Sequence, residues 1–151
     1  MDGKATAQTD RQHWLGLLAR APAGRLDALC RAAQVPRAGT WLRRAEIGTV
    51  MLRGRAGGTG APFNLGEITV TRAAVELPGG TVGHGHVQGR DKAAAEWAAL
   101  VDALMQTDAA GRLRPAILDP IAAELAATAA DRAARAAATR VEFFTLVRGE
   151  D

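Results

Sequence analysis

Apolar positions along the chain change period twice. Over residues 8–20, Trp14, Leu15, Leu17 and Leu18 fall on helical spacing, and over residues 25–34, Leu26, Leu29, Cys30 and Ala33 form a second stripe. Pro22 and Gly24 punctuate the two, which predicts an N-terminal helical hairpin. Trp14 and the leucines read as core or partner-docking side chains, and His13 as a surface residue of its helix. After Pro36 and Gly39 the period shortens to two. Residues 40–55 are rich in β-formers, with Thr49, Met51, Arg53 and Arg55 alternating with Val50, Leu52 and Gly54, as in one or two strands. Residues 66–77 set Ile68, Val70, Arg72 and Ala74 opposite Glu67, Thr69, Thr71, Ala73 and Val75. Pro78-Gly79-Gly80 supplies a tight turn, because glycine reaches positive φ freely, and residues 81–88 return as an antiparallel partner. A meander of at least three strands is expected.

The helical period then resumes. Asp91 is a natural N-cap, and Trp97, Leu100, Val101, Leu104 and Met105 give a helix over 91–105 an apolar stripe that can cover one face of the sheet. Residues 107–114 read as a loop and 115–118 as a short strand. Residues 121–139 are so rich in alanine that they read as a helix, although alanine offers little to bury. The close, RVEFFTLVRGED, is a short apolar segment that needs burial in the sheet or on another chain. The fold class expected is α+β, in a single domain over residues 1–151.

Composition adds modest limits. A chain of 151 residues buries roughly 68–70% of its unfolded surface, enough for a core without disulfides or a structural metal. The opening MDGKATAQTDRQHW has no apolar stretch like that of an export signal, and no apolar run reaches the length needed to span a bilayer. A lone cysteine, Cys30, suits a reducing compartment, so the expected location is the cytoplasm. The pI near 10.0 overstates the charge: 19 basic against 16 acidic residues leave only +3, and nearly all the cations are arginines, which do not titrate. With no lysine-rich run and no stacking motif, nucleic acid is not an expected partner.

The glycine cluster Gly57-Gly58-Thr59-Gly60 invites a phosphate-binding reading, since successive backbone amides cradle anions. The phosphate-loop pattern fails, because Ala61-Pro62-Phe63 and a strand follow where Lys-Ser/Thr and a helix are required. Two readings therefore stand: a plain strand connection, or a contact with phosphate or a partner. The residues that would serve the contact are Arg53, Arg55, Gly57, Gly58, Thr59 and Gly60, with Arg72, Arg90 and Lys92 as further cations. On the second reading the chain could be a stand-alone phosphate or ATP sensor. His84 and His86 share a strand face, but no third ligand at a metal spacing accompanies them, so no metal is expected. Cys30 has no evident catalytic partner, and the chain contains no serine. No catalytic residue is identified.

Several segments carry a family resemblance across nearly the whole chain: Arg11-Gln12-His13-Trp14, Arg55 to Gly60, Thr69-Val70-Thr71-Arg72-Ala73-Ala74-Val75, Val87-Gln88-Gly89-Arg90-Asp91-Lys92, and the closing residues 140–149. Together they resemble PhnG, a small subunit of the bacterial carbon-phosphorus lyase system. The resemblance implies an accessory, non-catalytic subunit in phosphonate catabolism. Its core-complex partners would be PhnH, PhnI and PhnJ, and PhnL would join PhnG, PhnH and PhnI in moving the ribose triphosphate of ATP onto methylphosphonate with loss of adenine. It further implies that an iron-sulfur cluster and S-adenosylmethionine belong to a partner subunit, with no cofactor in this chain. Under this reading Phe143, Phe144, Leu146 and Arg148 become candidate interface residues.

Overall fold

A computed structural model describes residues 2–140, with side chains from residue 8 onward. The order is α1 (Asp2–Ala19), α2 (Arg25–Ala32), β1 (Thr40–Arg55), β2 (Pro62–Glu76), β3 (Val82–Gln88), α3 (Lys92–Leu104), α4 (Ala110–Leu113) and α5 (Asp119–Ala138). The sheet is antiparallel in the order β1-β2-β3. The expected α+β architecture is present.

Helix α3 is the keystone. The Asp91 carboxylate accepts the Ala94 amide at 2.9 Å and so caps its start. From there Trp97, Leu100, Val101 and Met105 are buried on the side turned to the other helices, where Trp97 reaches Asp27 of α2. It is Ala95, Ala99 and Ala103, not the expected large apolar stripe, that meet the sheet. The approach is unusually close because β3 offers glycines where a side chain would stand. A Cβ on Gly85 would lie 1.9 Å from the Ala95 carbonyl oxygen, and one on Gly83 would lie 2.1 Å from that of Ala99. Pairing of Ala73 with Gly85 and Val75 with Gly83 puts the small, buried side of β2 on the same face. Helices α1 and α2 both pack on α3, closing the core with Trp14, Leu18, Leu26 and Cys30.

The expected turn at residues 77–81 forms with Gly80 at φ 81°, the Gly80 amide donating to the Leu77 carbonyl at 2.8 Å. Two boundaries differ from expectation. Strand β2 begins at Pro62, four residues before Gly66, because it stays paired with β1 as far as Arg55. Residues 110–118, expected as a loop ending in a strand, are helical instead. Leu113, Ile117, Leu118 and Ile121 are all buried, a spacing of four, one and three that only a helix points inward. Pro115 interrupts the regular ladder, and the backbone widens to an i→i+5 turn over Arg114–Leu118 before running on into α5. Past Leu125 every residue of α5 is exposed. No helix among the described residues is long and apolar enough to cross a membrane.

Candidate functional site

Two polar clusters tie the helical body together, one buried and one near its surface. Asp102 is fully buried in α3, yet four donors converge on its carboxylate. Arg11 meets it in a two-pronged ion pair at 2.7 and 3.1 Å, the Trp14 indole donates at 2.8 Å, and the His84 backbone amide donates at 2.8 Å. The same Arg11 also donates to the Val82 carbonyl at 3.2 Å, so one carboxylate joins α1, α3 and β3. A buried charge is tolerated only with such full satisfaction. The second cluster centres on Asp27 of α2, which accepts from Arg31 at 2.8 Å and from the Trp97 indole at 2.7 Å. The Arg31 hydrogen bond, joined by that of Trp97, holds the Asp27 carboxyl below the usual carboxylate range. Arg37 stacks over the Trp97 ring at 4.2 Å. Burial pushes the neighbouring Cys30 thiol up to about 12, which leaves almost no thiolate at neutral pH.

Outside this body the sheet continues as an arm. Strand β3 pairs with β2 only over Val70–Glu76, whereas β1 and β2 stay paired out to Arg55 and Pro62. Residues 49–69 therefore form a two-stranded ribbon with neither a third strand nor a helix among the described residues on it. The six large apolar side chains exposed among the described residues are Leu42, Ile47, Met51, Leu52, Phe63 and Leu65, all on β1 or β2. Register divides them by face. Val50 pairs with Ile68 and Gly54 with Phe63, while Leu65 sits over the bare α-carbon of Gly54. These form an apolar strip that continues the sheet face turned away from α3. The reverse side of the arm is more polar, pairing Thr49 with Thr69 and Met51 with Glu67.

The sequence-predicted contact residues do not gather into one cradle. Arg53 and Arg55 end β1, and Gly57 and Gly58 follow in left-handed conformation at φ 59° and 78°. Arg55 donates to the Gly60 carbonyl at 3.0 Å, closing the tip on itself through Thr59. Arg53, Arg55, Gly58 and Pro62 border a shallow groove of about 510 Å³. Arg72 lies ten residues along β2 from Pro62, roughly 30 Å at strand rise, too far to share a phosphate with the tip. Instead it pairs with Glu46 at 2.9 Å, next to His84 and His86, where Arg43 also reaches Glu46 at 3.5 Å. Arg90 and Lys92 sit at the entrance to α3, near the base of the arm. No group of three or more His, Cys, Asp or Glu that could hold a metal occurs among the described residues. Phe143, Phe144, Leu146 and Arg148 lie outside the described residues.

The residues missed by sequence reasoning are Asp102 and its donor Arg11. A signal existed: Asp102 is the one charged residue in the otherwise apolar run 97–105 of α3, and Arg11 lies one turn before Trp14 on the same helix face.

The family description "Phosphonate metabolism protein PhnG" matches residues 9–149. Over 141 residues the chain is 48% identical to the alpha-D-ribose 1-methylphosphonate 5-triphosphate synthase subunit PhnG of Rhizobium meliloti (strain 1021), covering 93% of this chain and 90% of that protein. With the match spanning body and arm alike, the chain belongs to the PhnG family of phosphonate metabolism proteins.

Proposed function

We propose that this chain is an accessory, non-catalytic subunit of a cytoplasmic complex that transfers the ribose triphosphate of ATP to methylphosphonate and releases adenine. PhnH, PhnI and PhnJ would be its core-complex partners, and PhnL would act with PhnG, PhnH and PhnI in the transfer. Any iron-sulfur cluster or S-adenosylmethionine would reside on a partner. The observation that carries this reading is the gathering of exposed large apolar side chains on an arm that nothing among the described residues covers. Two further features support it. The buried carboxylate Asp102 is consumed by structural donors, and Cys30 is held protonated, so neither is available as a base or nucleophile. The purified chain is expected to release no adenine from ATP and methylphosphonate, and the assembled complex to release it. Adenine release by the lone chain at the rate of the complex would overturn the reading.

A second reading, a stand-alone ATP or phosphate sensor, draws on the tip, where two left-handed glycines follow Arg53 and Arg55. It requires saturable calorimetric binding of ATP by the isolated chain, lost in Arg55→Ala.

A further inference from the structure

We propose that the open face of the arm, formed by Val50, Leu52, Phe63, Leu65 and Ile68, is a docking surface for a different polypeptide that presents an apolar strip bordered by carboxylates. The proposal rests on the subunit reading and adds the surface and the chemistry of what covers it.

The apolar strip is asymmetric. On the reverse side, Thr49, Thr69 and Glu67 suit water, so the arm has one face to be buried and one to be left wet. A lone two-stranded ribbon is marginal in water, and packing on its apolar face is what would stabilise it. Charge then narrows the occupant. Toward the base the same open face carries Arg43 and Arg72, which share the single carboxylate of Glu46, with His84 and His86 alongside in a groove of about 480 Å³. Two guanidiniums against one carboxylate leave a cationic excess beside the apolar strip, and its complement is an apolar surface edged with acidic side chains.

A second copy of this chain does not supply that complement. Two open faces related by a two-fold axis meet either base to base or base to tip. The first sets arginines against arginines, and the second sets them against leucine and phenylalanine. In both arrangements each Glu46 carboxylate is still shared by two guanidiniums.

The test is co-expression of the tagged chain with the partner polypeptides of the proposed complex, followed by quantification of what is retained. The wild type and Met51→Thr, on the reverse face, should hold the partners in fixed stoichiometry. The double variant Leu52→Glu/Leu65→Glu should lose retention by about tenfold or more, and Arg72→Glu by less. Phe63→Ser, a smaller change on the same strip, should weaken it too, and all four should keep the urea midpoint of the wild type when isolated. Wild-type retention with equal retention of the open-face variants would overturn the docking surface and leave the subunit reading intact. Failure of the wild type to retain any partner would overturn the subunit reading itself. A wild-type dimer in sedimentation that the double variant turns into a monomer would make the occupant a second copy, and overturn the proposal.

Discussion

The base and the arm are two lengths of one sheet, yet they are stabilised by opposite means. At the base, α3 comes so near that Gly83 and Gly85 have no room for a methyl group, and Val75 and Ala73 are sealed beneath it. Along the arm the same β2 strand exposes Phe63 at 45% and Leu65 at 61%, and its ladder bonds are open to solvent on either side. Burial of apolar surface distinguishes them, since β1 and β2 pair through both, with register shifts between Trp41 and Glu46 at the base and between Leu52 and Arg53 in the arm. Local stability should follow burial, so the base belongs to the slow-opening part of the molecule and the arm to the fast-opening part.

The largest expected effect tests the base. Gly85→Ala places a methyl 1.9 Å from the Ala95 carbonyl oxygen, and since backbone on both sides must move, it should cost more than about 4 kcal/mol in urea unfolding or abolish folding. A variant within error of wild type would show that α3 does not bear on β3 as described. Next comes Asp102→Asn, which removes the charge facing Arg11 and leaves donors competing for one carbonyl. Asp102 is fully buried while the Arg11 side chain is 28% exposed, so the expected loss is about 3 kcal/mol, at the low end for breaking a buried pair. Two-state urea unfolding measures it, and a loss below about 1 kcal/mol would place the network among ordinary surface pairs. The smallest effect belongs to the arm: Leu65→Ser in the isolated chain should shift global stability by no more than about 0.5 kcal/mol, because the residue is already in water. A large loss there would mean that the arm is part of the cooperative core.

These contrasts also explain what was legible beforehand. The meander, the capped helix α3 and the alanine-rich helix α5 were readable because period, turn residues and cap agreed with one another. Residues 110–118 were misread because Gly111, Pro115 and β-branched Ile117 argue locally against a helix, while burial at 113, 117, 118 and 121 decides for one. In the candidate site, the glycine-rich tip and its arginines were visible as a motif. The separation of Arg72 from them was not, since it depends on how far β1 and β2 stay paired. Asp102 was hidden for a similar reason: its four donors come from residues 18 to 91 positions away. The exposure of the arm could not be read from the alternation of residues 49–69, which is the same whether or not a helix lies on the strand.

Amide hydrogen exchange, followed on the isolated chain and on the assembled complex, tests the central claim most directly. The account predicts that alone, the amides of residues 49–69 exchange fast while those of β3 and α3 are protected. On assembly the arm should gain protection of at least about tenfold, with the base unchanged. An arm already as protected as the base in the isolated chain, or one that stays fast in the complex, would contradict it.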